Sequence, residues 1–305
     1  GVAAARPDIV DRNNEILATD IKTASLYAEP RRIIDPDEAT ESLASVLPDI
    51  DAAKVRRQLA SDAGFIWLKR EITPRQRRAI HDLGIPGVGF IAENRRFYPG
   101  GSTASHILGH VNVDNEGIAG IEKYIDGLGL ADLHEAGFAL ERGLDPVQLA
   151  VDLRVQHALR DELARAMTRY KAIAAVGIVM DVRTGEVVGM SSLPDYDPND
   201  PASSLGKDKL NRATVGVYEM GSTFKMFTTA MALETKQVEM SDSFDASKPL
   251  RVSSFTINDF HGKGRWLSVP EIFIYSSNIG TARMALKVGI DGQKSFLEKM
   301  GLLSR

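Results

Sequence analysis

The feature that most constrains the fold of this chain is a change of pattern near residue 152. From there an apolar residue recurs at every fourth position: Val155, Leu159, Leu163 and Met167. This spacing predicts one apolar face of an amphipathic helix. The following segment, 175–190, is apolar on both sides of Arg183-Thr184-Gly185 and predicts an antiparallel hairpin with a glycine-containing turn. We therefore expect a second domain over 151–305 that opens with a helix and a hairpin.

Residues 1–150 show short, mixed elements separated by turn residues, which predicts an extended, β-rich first domain. One helix in it is clearly signalled, because Thr73 can cap it, Pro74 suits its first position and Gln76 completes a capping box. The chain as a whole is predicted to be α+β, with helices on an antiparallel sheet in the second domain.

Composition excludes several classes of protein. With 305 residues, 43% of them hydrophobic, the chain can bury two cores. Its 41 acidic and 37 basic residues form no run that would follow a nucleic acid, so we expect no such partner. The absence of cysteine excludes disulfides and thiolate chemistry.

The longest apolar stretch, 172–180, falls far short of the roughly 20 residues that span a bilayer. Because the chain begins at Gly1 without a signal pattern, we expect that an upstream segment has been removed.

A serine and a lysine, Ser222 and Lys225, stand one helical turn apart at the start of an apolar segment that predicts a buried helix to about Leu233. Burial disfavours the ammonium form, so Lys225 is a candidate base for the Ser222 hydroxyl. Amides at the helix start can stabilise an oxyanion. The spacing alone is expected about once by chance, and taken alone it favours a capping serine with a lysine that extends to solvent. A second match, Ser204 and Lys207, lies in a polar loop and is predicted to be surface.

A second element follows 54 residues after Ser222, at Ser276-Ser277-Asn278. In a turn, the Ser276 hydroxyl and the Asn278 carboxamide can project together. Ser276 can then pass a proton between Lys225 and a leaving amine, while Asn278 binds a substrate amide. Capping of a following helix over 281–286 is the structural alternative, and it is compatible with catalysis.

These two elements together resemble the first two signatures of the penicillin-recognising serine enzymes. The flanking residues 211–225 and 276–280 are similar to class B penicillin-binding proteins. Residues 6–17, 96–99 and 117–122 are similar to the pedestal, or dimerisation-type, domain of the same class. The pattern departs from that class at Pro7 and Asn14, where glycines are usual; asparagine tolerates the left-handed conformation. Within the class, the resemblance is strongest to the division-specific proteins of Gram-negative bacteria.

The resemblance implies a penicillin-binding transpeptidase fold after a pedestal, and a D,D-transpeptidase that cross-links peptidoglycan in septal cell-wall synthesis. Ser222 would attack the D-Ala-D-Ala donor, Lys225 and Ser276 would move the proton, Asn278 would bind substrate, and an amine acceptor would resolve the acyl-enzyme. β-Lactams would trap the same serine. No cofactor or metal is implied. The implied partners are a membrane glycosyltransferase and division proteins, and the implied location is the periplasm, anchored in the inner membrane by an N-terminal helix outside this chain.

The third family signature, Lys-Thr-Gly or Lys-Ser-Gly, is absent from the chain. The nearest string, Lys299-Met300-Gly301, lacks the hydroxyl and follows Asn278 too closely. Since the chain stops at Arg305, we expect that a C-terminal part is missing, that an apolar helix and a hairpin edge are exposed, and that the chain as given is inactive.

Two other functions stay open. A β-lactamase or D,D-carboxypeptidase would use the same serine with water as acceptor, and a scaffold would bind cell-wall or division proteins without catalysis. Other residues are predicted to be structural: His106 with His110, the solvated loop 195–200, and an ion pair between Arg12 and Glu122 that the resemblance suggests.

Overall fold

The computed structural model describes residues 5–130 and 144–303, which fall into two compact units, 1–216 and 217–305. Helices and mostly antiparallel strands alternate along the described chain, which confirms the α+β expectation. The predicted domain boundary near residue 150 does not coincide with the division into these two compact units, and it stays a prediction. Among the described residues, no helix is both long and apolar enough to cross a bilayer.

The first unit is built around one long strand, β2 (Ile16–Ala28). It pairs antiparallel with β1 (Ile9–Val10), β3 (Ile66–Ile72) and β4 (Val88–Phe97), while β5 (Val147–Gln148) runs parallel to β1. Side chains alternate between the faces of a strand, and one face of β2 is accordingly apolar and buried. The residues on it are Ala24, Leu26 and Ala28.

Three helices cover that face of the sheet: α1 (Pro36–Val46), α2 (Ala52–Leu59) and α3 (Pro74–Asp82). The predicted capping box of α3 is confirmed. The Thr73 hydroxyl accepts from the Gln76 backbone N–H at 3.2 Å, and the Gln76 side chain accepts from the Thr73 N–H at 2.9 Å.

The predicted helix and hairpin after residue 152 are also confirmed. Two short helices, α4 (Ser105–Leu108) and α5 (Gly120–Ile125), precede α6 (Leu153–Tyr170). The hairpin strands that follow are β6 (Ala175–Met180) and β7 (Val187–Leu193). A Cβ on Gly177 would lie 2.8 Å from Leu159 Cδ1, so the glycine allows α6 to pack closely on the hairpin.

A buried ion-pair cluster joins α5 to the sheet of the first unit. Glu122 on α5 is fully buried, and its carboxylate accepts from Arg6 Nε at 2.8 Å and from Arg96 Nε at 2.6 Å. The predicted ion pair between Arg12 and Glu122 is wrong, because Arg12 lies at the surface and pairs with Glu186 at 3.2 Å. Buried charges need partners, and here two guanidinium groups share one carboxylate.

The second unit opens with a 3₁₀ turn, Gly221–Phe224, followed by α7 (Lys225–Glu234). Two small hairpins come next, and their strands are β8 (Ser243–Asp245) with β11 (Trp266–Ser268), and β9 (Leu250–Val252) with β10 (Phe255–Ile257). The chain continues through α8 (Val269–Ile274) and α9 (Asn278–Lys299). The core between these elements includes Ala232, Leu267, Ile272, Ile279 and Met284.

The junction between α8 and α9 forces Ser276 into a left-handed conformation, φ 51°. The Ser277 N–H donates to the Ile272 carbonyl at 3.0 Å and the Ser276 N–H to the Phe273 carbonyl at 3.2 Å, which is the Schellman pattern of a helix end. Glycine usually occupies this left-handed position because a Cβ is strained there. Ser277 in turn caps α9, its hydroxyl accepting from the Gly280 N–H at 2.9 Å.

Replacing Glu122 by glutamine tests the buried cluster of the first unit. Glu122→Gln keeps the shape but leaves two buried guanidinium groups with one negative charge fewer, so we expect a loss of about 3 kcal/mol in the opening free energy of β2 and β4. Amide hydrogen exchange measures it. The matched control, Glu186→Gln, removes the exposed partner of Arg12 and should cost less than about 1 kcal/mol. Equal losses in the two variants would contradict the assignment.

Replacing Ser276 by glycine tests the strain at the α8–α9 junction. Ser276→Gly should stabilise the second unit by about 0.5–1 kcal/mol, because glycine adopts the left-handed conformation without a Cβ clash. Ser253, φ 55° in the turn between β9 and β10, provides the control. Ser253→Gly should stabilise by a similar amount in hydrogen-exchange experiments. Because Ser276→Gly also removes the hydroxyl that contacts Lys225, a Ser276→Gly variant no more stable than Ser276→Ala would show that the junction carries no strain.

Candidate active site

Ser222 lies at the surface of the second unit, inside the 3₁₀ turn that leads into α7. The turn starts at Gly221, whose φ of 54° lets the chain bend into the helix. Lys225 is the first residue of α7, one turn after Ser222. The start of α7 thus presents the hydroxyl and the amine on the same side, as their spacing predicts.

The amine of Lys225 contacts both serines that the sequence singles out. Lys225 Nζ lies 3.3 Å from Ser222 Oγ and 2.9 Å from Ser276 Oγ, and it donates to the Ser276 carbonyl at 2.6 Å. The left-handed backbone of Ser276 places its carbonyl and its hydroxyl toward the same amine. Two segments 51 residues apart in the chain therefore meet at one nitrogen.

Burial lowers the pKa of the Lys225 amine below its ordinary value of 10.5, and the negative charge of Asp259 partly opposes that shift. A lysine with a lowered pKa is neutral in a larger fraction of molecules and can accept a proton from a neighbouring hydroxyl. The Ser222 hydroxyl is placed to be that donor.

Helix α7 is not buried as its apolar sequence alone suggests; it is partly exposed, in line with the expectation that an apolar helix is exposed in this chain. Its inner side packs through Met231 and Ala232, but Met226 is 50% exposed and Phe224, just before the helix, is 39% exposed. An apolar groove between α7 and α8 runs along this exposed side, lined by Met226, Ala230, Leu233, Val269 and Phe273. Lys225 itself is only partly buried.

Asn278 is the first residue of α9, and its side-chain amide donates to the Asn258 carbonyl at 2.8 Å. The same loop, 258–265, supplies Asp259, a residue that the sequence did not single out. One Asp259 oxygen accepts from the Ser277 hydroxyl at 2.8 Å, and the other accepts from the Ile279 N–H at 2.9 Å. No spacing motif links Asp259 to the serines, so only the fold reveals the contact.

The competing candidates are placed elsewhere. The Ser204 hydroxyl donates to the Pro201 carbonyl at 2.7 Å, while Lys207 is exposed. Lys299 is the last residue of α9, so the string that follows it lies at a helix end rather than on a strand. In the loop 195–200, Asp195 pairs with Arg160 at 2.6 Å.

The two histidines bind protein groups of the first unit. His106 Nε2 lies 2.6 Å from the Lys209 carbonyl oxygen, and His110 Nδ1 lies 3.3 Å from the Tyr196 hydroxyl. Within residues 5–130 and 144–303, three or more His, Asp or Glu side chains are nowhere grouped to hold a metal ion.

Comparison with protein families identifies both halves of the chain. Residues 2–127 match the penicillin-binding protein dimerisation domain, and residues 175–304 match the penicillin-binding protein transpeptidase domain. The second match contains Ser222, Lys225, Ser276 and Asn278.

Curated relatives agree with these matches. The chain is 40% identical over 302 residues to the probable peptidoglycan D,D-transpeptidase FtsI of Caulobacter vibrioides, covering 99% of this chain and 50% of that protein. It is 28% identical to the peptidoglycan D,D-transpeptidase FtsI of Escherichia coli K12, covering 99% of this chain and 54% of that protein. The chain thus spans about half the length of the curated relatives it matches.

Solved structures share the fold at lower identity. Penicillin-binding protein 2X of Streptococcus thermophilus matches with a TM-score of 0.69 at 24% identity, over 97% of this chain and 51% of that one. A peptidoglycan synthetase of Bifidobacterium adolescentis matches with a TM-score of 0.69 at 22% identity, over 98% of this chain and 62% of that one. The expected fold is therefore confirmed. Taken with the two domain matches and the relatives, it shows that this chain belongs to the class B penicillin-binding proteins of the FtsI type.

Proposed function

We propose that the protein from which this chain derives is a peptidoglycan D,D-transpeptidase whose nucleophile is Ser222. The observation that carries the proposal is the position of one lysine nitrogen, Lys225 Nζ, within 3.3 Å of Ser222 Oγ and 2.9 Å of Ser276 Oγ. A nucleophile beside a partly desolvated base, with a second hydroxyl also in contact with that base, is suited to acyl transfer. The names of the relatives support the same reaction.

The reaction proceeds in two balanced steps. Ser222 Oγ attacks the carbonyl carbon between the two D-alanines while its proton passes to Lys225. The C–N bond then breaks, and the proton returns through Ser276 to the departing D-Ala amine, leaving an ester on Ser222. An amine of a second stem peptide attacks this ester and forms the cross-link, and Ser222 recovers its proton. In this scheme Asn278 binds an amide of the donor peptide. A β-lactam would acylate Ser222 in the same way as in the first step, with opening of its ring.

Hydrolysis is the alternative outcome for the same acyl-enzyme, as in a β-lactamase or a D,D-carboxypeptidase. Both release the acyl group to water rather than to an amine. The match of residues 2–127 to the dimerisation domain favours the transpeptidase, since that domain accompanies class B proteins. A donor peptide supplied with an amine acceptor separates the outcomes, because only transfer yields the cross-linked product.

The cellular setting is also part of the proposal. The resemblance to division-specific proteins favours septal cell-wall synthesis in the periplasm, with anchoring in the inner membrane outside this chain. A membrane glycosyltransferase that supplies the glycan strand and smaller division proteins are the partners we expect. A scaffold without catalysis is the remaining alternative, and acylation of Ser222 would exclude it.

Labelled penicillin tests the proposed nucleophile and base in the full-length protein. We expect one acylated residue, Ser222, with no labelling of Ser222→Ala and a rate about 10²–10⁴-fold lower in Lys225→Gln, because the hydroxyl then lacks its base. The matched controls, Ser204→Ala and Lys207→Gln, carry the second Ser-x-x-Lys pair and should react like the wild type. Labelling of Ser222→Ala, or none of the wild type, would contradict the proposal.

The 305-residue chain itself should react with penicillin slowly or not at all. It contains no Lys-[Ser/Thr]-Gly string, and the apolar groove beside α7 is open among the described residues. Mass spectrometry after incubation with labelled penicillin measures this directly. Stable acylation of Ser222 in the 305-residue chain would refute this expectation, but it would agree with Ser222 as the nucleophile.

A further inference from the structure

We propose that Asp259 is a positioning residue for this site, which fixes the turn carrying Ser276 and supplies the negative charge facing Lys225. The inference rests on the proposed function, since it concerns how the same base and hydroxyls are held. It goes beyond the two spacing motifs, because Asp259 belongs to neither.

Both oxygens of the Asp259 carboxylate are used to hold the start of α9. The Ser277 hydroxyl donates to Oδ2 at 2.8 Å, and the Ile279 N–H donates to Oδ1 at 2.9 Å. A carboxylate at a helix start is favoured there, because unpaired amides and the positive end of the helix dipole meet it. Ser277 is only 2% exposed, so its hydroxyl needs these partners. Asp259 therefore fixes the residue that directly follows Ser276.

Fixing Ser277 also fixes Ser276. The strained left-handed backbone of Ser276 would relax if the junction were free to move, and both of its contacts with Lys225 depend on that backbone. Asn258, the neighbour of Asp259, accepts a hydrogen bond from the Asn278 side chain at 2.8 Å. The loop 258–265 is thus hydrogen-bonded to Ser277, Asn278 and Ile279, the three residues that follow Ser276.

The charge of Asp259 has an effect of its own on Lys225. A nearby carboxylate stabilises the ammonium form, so it raises the pKa of Lys225 against the larger lowering caused by burial. Removing that charge while keeping the shape should therefore make Lys225 neutral at lower pH. A residue that only holds the fold together would not change the pH at which the amine loses its proton.

Other charged and titratable groups around the site are engaged with different partners. Glu271 on α8 pairs with Arg265 at 2.7 Å. Lys263 lies over the ring of Tyr275, 4.6 Å from its centroid. The His261 ring packs against Phe260, with the ring centroids 4.7 Å apart. Among the described residues, Asp259 is the charged group that shifts the Lys225 pKa.

The charge-removing variant Asp259→Asn tests the electrostatic part. Asparagine can still accept from the Ile279 N–H and bond the Ser277 hydroxyl. In the full-length protein, the rate of acylation by labelled penicillin should rise with pH, and the midpoint of that rise should move to lower pH in Asp259→Asn. The matched control, Asp291→Asn, changes an exposed aspartate on α9 and should keep the wild-type midpoint. An unchanged or higher midpoint in Asp259→Asn would overturn the proposal.

The truncating variant Asp259→Ala tests the positioning part. It removes both hydrogen bonds to the α9 start, so the plateau rate at high pH should fall about 10–100-fold, the loss typical of displaced catalytic groups. A plateau within about twofold of the wild type would show that Asp259 does not position the turn.

A measurement independent of acylation separates this proposal from the proposed function. Trace labelling with acetic anhydride across a pH series, followed by mass spectrometry of the Lys225 peptide, reports the protonation of that amine in the 305-residue chain. Lys225 should become reactive at lower pH in Asp259→Asn than in the wild type or Asp291→Asn. If penicillin labels no protein, the proposed function fails, yet this shift would still support the role of Asp259. Identical labelling curves would refute it.

Discussion

The second unit is organised around the contact of one lysine amine with two serine hydroxyls. Lys225 Nζ contacts both Ser222 Oγ and Ser276 Oγ. Different local structures position the two segments that carry these hydroxyls. The 3₁₀ turn that starts at Gly221 sets the first hydroxyl, and the helix end of α8 sets the second. Because the amine loses hydration on approaching the second segment, the contact that joins the two segments also prepares the base.

Strain and capping are concentrated where the second hydroxyl is placed. Ser276 occupies the left-handed position of a Schellman motif, in which glycine would cost less. Ser277 ends one helix and caps the next, and Asp259 holds it from a neighbouring loop. A strained residue persists when its surroundings determine its conformation, and such residues are common at functional sites. The junction is therefore less stable than one with glycine at this position, but it holds the Ser276 hydroxyl in place.

Local patterns predicted the parts of this chain whose causes are local. The capping box at Thr73, the helix over 153–170 and the hairpin after it follow from spacing within a few residues, as does the approach of Lys225 to Ser222. Helices α1 and α2 were not predicted, because at 11 and 8 residues each shows too few turns of a repeating apolar pattern. The partners of Glu122 and the role of Asp259 depend on contacts between residues far apart in the chain, which no local spacing encodes. The apolar sequence of α7 predicts burial but does not say what covers the helix, and its partial exposure agrees with the expectation of an exposed apolar helix in this chain.

Burial in the second unit lowers the pKa of the Lys225 amine, and this shift is what makes Lys225 a base for Ser222. Nuclear magnetic resonance of the chain carrying ¹⁵N-labelled lysine tests it most directly, with the Lys225 signal assigned by its loss in Lys225→Arg. As pH rises, we expect the Lys225 amine to titrate below the ordinary lysine value of 10.5. An amine that titrates at or above that value would contradict the assignment of Lys225 as the base.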